Sequence, residues 1–126
     1  MNVLIDTSTW IDHFRRRNDQ LVELIGQDRA LIHPMIVIEL ACGTPPAPRS
    51  RSLGDLQLLH PANQAGFGEV LDFIEREQLY GLGCGLVDLT LLASTLITPG
   101  ARLWTLDKRL EALAQRFGIA FPQHRH

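Results

Sequence analysis

The sequence predicts an α/β fold, a small central parallel β-sheet flanked by α-helices in one domain over 1–126. Two observations carry this. Short apolar runs alternate with longer segments whose apolar residues recur every three or four positions. Residues suited to capping or breaking helices, among them Asp6, Pro34, Gly43 and Asp107, stand at the boundaries between them. Strands alternating with helices in this way favour a parallel sheet.

Val3-Leu4-Ile5 is a short apolar run cut off by Asp6-Thr7-Ser8, which predicts a buried strand ending in a turn. Ser8 or Asp6 then caps a helix carrying Trp10, Ile11 and Phe14. Leu21, Val22, Leu24 and Ile25 make a second helix, stopped by Gly26, and Ala30-Leu31-Ile32 reads as a second strand. Pro34 suits a helix start, and Met35 to Cys42 follow as a helix ended by Gly43. Thr44-Pro45-Pro46-Ala47-Pro48 is a connector. Phe67, Val70, Leu71, Ile74 and Gln78 form one helical stripe, with Asp72, Glu75, Arg76 and Glu77 opposite. Gly81, Gly83 and Gly85 break the chain before a nearly all-apolar helix from Leu86 to Ile97. Pro99-Gly100 turns into a strand over 102–106. Asp107 caps a last helix with Leu110, Leu113, Ala114 and Phe117 on one stripe, and Ile119 to Phe121 adds a short strand.

A chain of 126 residues, 45% hydrophobic and 21% charged, can bury one core, which excludes disordered and collagen-like classes. The longest apolar stretch, Leu86 to Ile97, carries Asp88 and is too short to cross a bilayer. No basic leader precedes Asp6, so a cytoplasmic protein is expected. A net charge of −2 excludes proteins that hold nucleic acid by bulk charge, but not an enzyme with a local basic rim. Cys42 and Cys84 lack zinc or C-x-x-C spacing and are expected as small buried hydrophobes. Trp10 and Trp104 are expected in the core, and residues 124–126 as a frayed tail.

Four acids resist a purely structural explanation. Asp6 and Asp107 end strands, where open α/β sheets place ligand sites. Glu39 and Asp88 interrupt otherwise apolar helices. Singly, Asp107 reads as a helix cap, Asp6 as an Asx-turn residue, and the other two as partners for arginine. Together they suit a cluster of oxygen ligands, which repels itself unless cations occupy it. Carboxylates favour hard ions such as Mg²⁺ or Mn²⁺ over zinc. A metal so held activates water and clamps the oxygens of a phosphodiester.

The segments around these acids are V-L-I-D-T-S-T-W-I, I-E-L-A-C-G, G-L-V-D-L-T-L-L-A-S and L-W-T-L-D-K-R-L. In order and spacing the set resembles the four acidic motifs of PIN-domain ribonucleases, specifically the VapC-type toxins of bacterial toxin–antitoxin pairs. The resemblance runs from Met1 to around Phe117. It implies Asp6, Glu39, Asp88 and Asp107 as catalytic and metal-site acids, with Thr7, Ser8 and Thr105 as polar supports. It implies Mg²⁺- or Mn²⁺-dependent cleavage of RNA to 5′-phosphate and 3′-hydroxyl ends, a homodimer, and a small VapB-type antitoxin. Two departures stand out. His33-Pro34 precedes the second motif where many relatives carry a hydroxyl residue. Arg109 stands two residues after Asp107 where some relatives add an acid, which bears on a second bound metal.

Lys108 and Arg109, beside Asp107, are candidates to grip RNA phosphates, and Arg15, Arg16 and Arg17 could do the same or form a solvated helix end. The glycine triplet lacks dinucleotide-loop spacing and follows a helix, so it reads as a turn that positions Asp88. A dehalogenase-type phosphate enzyme would carry an aspartate where Ser8 stands, and a receiver domain would pair acids at the first strand. An inactive PIN-like binding module is the other alternative, against which the presence of all four acids argues.

Overall fold

The computed structural model describes residues 1–123; the tail expected to fray, 124–126, lies outside the described residues. β1 (Asn2–Ile5) leads into α1 (Thr7–Arg15) and α2 (Asp19–Gly26). β2 (Ala30–Ile32) leads into α3 (Pro34–Cys42) and α4 (Arg49–Gln57). β3 (His60–Pro61) precedes α5 (Phe67–Glu77) and α6 (Leu86–Leu96), and β4 (Ala101–Trp104) precedes α7 (Lys108–Arg116).

The strands form one parallel sheet in the order β3-β2-β1-β4. β1 lies inside it, with Val3 opposite Ala30 on one side and Arg102 on the other. Val3, Leu4 and Ile5 are fully buried, so their run needs no polar alternation. α6 and α7 pack on β4, and α2 packs on β2. Successive strands run outward from β1 through β2 to β3, whereas β4 returns to the opposite side. That reversal between β1 and β4 marks the position, at their carboxyl ends, where open α/β sheets place a ligand crevice. The Asp6 N–H extends the ladder there by donating to the Trp104 carbonyl at 3.0 Å.

Several expectations need correction. The strand expected over 102–106 ends at Trp104, because Thr105 turns its hydroxyl inward to Asp6 and Leu106 is exposed. Ile119 to Phe121 is not a full strand: Ala120 forms a single bridge with Leu103, and Pro122 has no N–H to continue it. Phe67 and Leu71 are exposed, and α5 buries Val70 and Phe73 instead. Cys42 is exposed and so not a buried hydrophobe, whereas Cys84 is half-buried and packs against the core. Trp10 and Trp104 are in the core as expected.

α4 and β3 had no periodic signal. α4 buries only Leu56 fully and has no side-chain cap. Arg49 instead fastens it to the end of α3, donating to the Ala41 carbonyl at 2.8 Å, while Ser52 donates to the Pro46 carbonyl at 2.6 Å. β3 contains Pro61, which a sheet tolerates at its edge.

Candidate functional site

β1 carries Asp6 to that position, where it also caps α1. Its Oδ1 accepts from the Ser8 hydroxyl at 2.6 Å, the Thr9 N–H at 3.2 Å and the Thr9 hydroxyl at 3.3 Å. Its Oδ2 accepts from Thr105 Oγ1 at 2.6 Å. Asp6 is only 5% exposed. Burial pushes its carboxyl above the ordinary 3.8 even though these donors favour the charged form.

The chain leaving β4 supplies the other wall. Thr105 Oγ1 accepts the Asp107 N–H at 3.0 Å, and Ser8 Oγ accepts the Leu106 N–H at 3.0 Å. Asp107 then caps α7, its Oδ1 accepting from Arg109 N at 2.9 Å and Leu110 N at 3.0 Å. Asp6 and Asp107 are therefore both helix caps: Asp107 as its isolated reading expects, and Asp6 rather than Ser8 at the start of α1. Capping uses one oxygen of Asp107 and leaves the other toward solvent.

Glu39 reaches the site from α3. Its Oε1 accepts from Thr7 Oγ1 at 2.5 Å, which joins α3 to the start of α1. His33 caps α3: its Nδ1 accepts the Met35 N–H at 3.1 Å, so an imidazole supplies the acceptor that a hydroxyl would have offered. Burial lowers the His33 pKa, and its Nε2 has no hydrogen-bond partner among the described residues.

Asp88 lies in the first turn of α6 and bonds back to the Gly85 backbone. Its carboxyl is raised first by burial, then by the charge of Asp107, with smaller contributions from Asp6 and Glu39. The four acids, far apart in sequence, thus share one electrostatic field. They do not close on a point: among the described residues no three His, Cys, Asp or Glu side chains form a ready metal cage. Their chemistry nonetheless fits a hard divalent ion. Glu39 and Asp107 each anchor one oxygen to the protein and keep the second without a hydrogen bond among the described residues. Asp6 Oδ2 accepts only one bond and retains a lone pair.

A cavity of about 410 Å³ opens between α1 and α3, with Glu39 and Arg15 on its wall beside Phe14 and Pro46. Lys108 and Arg109 are exposed at the start of α7, and Arg15 and Arg16 at the end of α1. Arg17 is drawn to Asp19 at 2.9 Å.

No family model matches the chain. Ribonuclease VapC32 of Mycobacterium tuberculosis (strain ATCC 25618 / H37Rv) is 42% identical over 121 residues, which span 96% of this chain and 97% of the relative. Ribonuclease VapC32 of strain CDC 1551 / Oshkosh matches to the same extent, 42% over 121 residues. The chain belongs to the VapC ribonuclease family. The α/β PIN-like fold expected from its motifs is the one observed, with a parallel four-stranded sheet. No helix among the described residues is long and apolar enough to cross a membrane.

Two polar roles in this VapC chain were not read from the sequence, that of Thr9 and the capping role of His33. Thr9 is buried and bonds both Asp6 and the Trp104 carbonyl, the latter at 3.2 Å. Its signal was present as Asp-x-x-Thr at a helix start, the spacing of a cap and its third residue. His33 had no comparable signal, because histidine is a rare cap.

Proposed function

We propose that this VapC-family chain is the toxin of a type II toxin–antitoxin pair, a single PIN-like domain acting in the cytoplasm as a Mg²⁺- or Mn²⁺-dependent endoribonuclease. The observation that carries the reading is the field at Asp88: Asp107, Asp6 and Glu39 all disfavour its charge, and Asp6 itself is buried and raised. Carboxylates gathered in this way are stabilised by a divalent cation.

Asp6, Glu39, Asp88 and Asp107 are the residues that would hold the metal. Thr7 fixes one oxygen of Glu39, and Ser8 and Thr105 fix the two oxygens of Asp6, which preorganises both carboxylates. When bound, such an ion would supply a water of lowered pKa and neutralisation of charge developing on the phosphodiester. Lys108, Arg109, Arg15 and Arg16 grip neighbouring phosphates, while Arg17 is diverted by Asp19. Cleavage leaves 5′-phosphate and 3′-hydroxyl ends. The active form is a homodimer, and a small VapB-type antitoxin silences it by presenting a basic side chain to the acids.

The test is to incubate the purified protein with total RNA in Mg²⁺, Mn²⁺ or chelator and to sequence the ends produced. Internal cuts bearing 5′-phosphates should appear only with metal. They should vanish in Asp6→Asn, and expression of the unmodified chain without a partner should arrest growth. Cutting that persists in chelator, or harmless high-level expression, would contradict the proposal.

A further inference from the structure

Several of the chain's cations are already engaged. Arg29 and Arg49 spend their guanidinium groups on carbonyls, Arg17 is paired with Asp19, and Arg76 lies over the Phe73 ring. The Arg109 side chain makes no hydrogen bond or ion pair among the described residues. A Cβ added at Gly83 would stand 2.7 Å from Arg109 Cδ and from Nη1, and 3.0 Å from Cζ. The guanidinium therefore lies where a side chain at position 83 would stand, and any residue larger than glycine there would displace it. Gly83 also has φ +84, a conformation glycine adopts freely.

This seat lies at the rim of the acidic site. The Arg109 N–H bonds Asp107 at 2.9 Å, and Cys84, next to Gly83, lies within reach of the charges of Asp88, Asp107 and Arg109 together. An unspent planar fork lying beside a set of carboxylates matches the two oxygens of a phosphate.

We propose that Gly83 is the seat of a substrate-positioning arginine, holding the Arg109 guanidinium where it receives a phosphate of the RNA backbone at the edge of the acid cluster. The inference rests on the ribonuclease reading above. Gly83 acts through Arg109 and does not itself touch RNA.

Gly81 provides an internal control. It has φ +72 in the same loop, yet a Cβ there would meet nothing within 4 Å. Gly81→Ala thus carries the backbone strain of Gly83→Ala without disturbing Arg109. Binding of a fluorescent single-stranded RNA is measured in chelator, where cleavage is silent, over a range of KCl. Gly83→Ala and Arg109→Ala should each weaken binding about tenfold and flatten the log–log salt slope by about 0.7, the share of one phosphate contact on a single strand. Gly81→Ala should bind like the parent, and the Gly83→Ala/Arg109→Ala double variant should equal Arg109→Ala alone. Should Gly83→Ala fail to fold, Arg109→Lys takes its place: it keeps the charge but loses the plane, and binding should still weaken. Gly83→Ala that behaves as Gly81→Ala, additive losses in the double variant, or Arg109→Lys that matches the parent would overturn the proposal. A parent protein that neither binds nor cuts RNA would overturn the reading beneath it, and the proposal with it.

Discussion

Thr105 Oγ1 donates to Asp6 Oδ2 at 2.6 Å across 99 residues of sequence, and the same oxygen accepts the Asp107 N–H at 3.0 Å. One hydroxyl thus joins the ends of β1 and β4 and orients two acids together. Thr105→Val keeps the shape and removes the hydroxyl, which leaves Asp6 short of a donor and the Asp107 N–H without its acceptor. Urea unfolding should show a loss of about 2 kcal/mol, and Thr105→Ser should recover most of it. A valine variant as stable as the parent would show that the hydroxyl carries no such role.

The Thr7–Glu39 bond predicts a different signature. Both residues are half-buried, so Thr7→Val should shift the melting temperature little. It frees Glu39 to leave its position, however, and RNA cleavage should fall about tenfold to a hundredfold, as misplacement of a catalytic group does. Thr7→Ser should restore the rate. Equal losses in the serine and valine variants would exclude the hydrogen bond as the cause.

The histidines and the buried acids predict opposite responses to pH. Burial lowers the His33 pKa below 6.5, so its contribution is complete above 6.5 and is lost as pH falls toward the folded value. His33→Asn keeps a capping oxygen without a titrating ring, and should flatten the decline of stability below pH 6.5. Asp6 and Asp88 have raised pKa values in the fold. Their ionisation therefore costs stability as pH rises above 3.8 through the folded values. In chelator, Asp6→Asn should gain on the parent as pH rises toward neutrality. Unfolding curves of the parent and both variants across this range separate the two effects; parallel pH profiles for all three proteins would refute them.

Strong, local signals made most of the fold readable. The uninterrupted apolar run of β1 required burial on both faces, and Asp107 declared the start of α7. The site was readable for the related reason that acids at strand ends and on apolar helices have few structural explanations. Failures fell where long-range ties override local pattern. α4 has little apolar face of its own and depends on Arg49 binding the end of α3. Thr105 left the strand because Asp6 needed its hydroxyl. Phe67 has the right spacing for a buried stripe, but α5 turns Val70 and Phe73 inward instead. The Gly83–Arg109 contact joins residues 26 positions apart that no periodicity connects.

The central claim is that Asp6 belongs to a cation-binding cluster rather than to a merely structural turn. Melting the parent and Asp6→Asn in chelator and in millimolar Mg²⁺ or Mn²⁺ tests it most directly. Asparagine keeps the cap on α1 and removes one charge from a buried, mutually repelling set. In chelator the variant should therefore melt at the parent's temperature or above it. Metal that binds only the folded state should stabilise the parent by about 2 to 3 kcal/mol near a hundredfold excess over its dissociation constant, and the variant should lose most of that gain. A variant strongly destabilised in chelator, with neither protein responding to metal, would show that Asp6 only holds a turn, and would contradict the nuclease reading at its root.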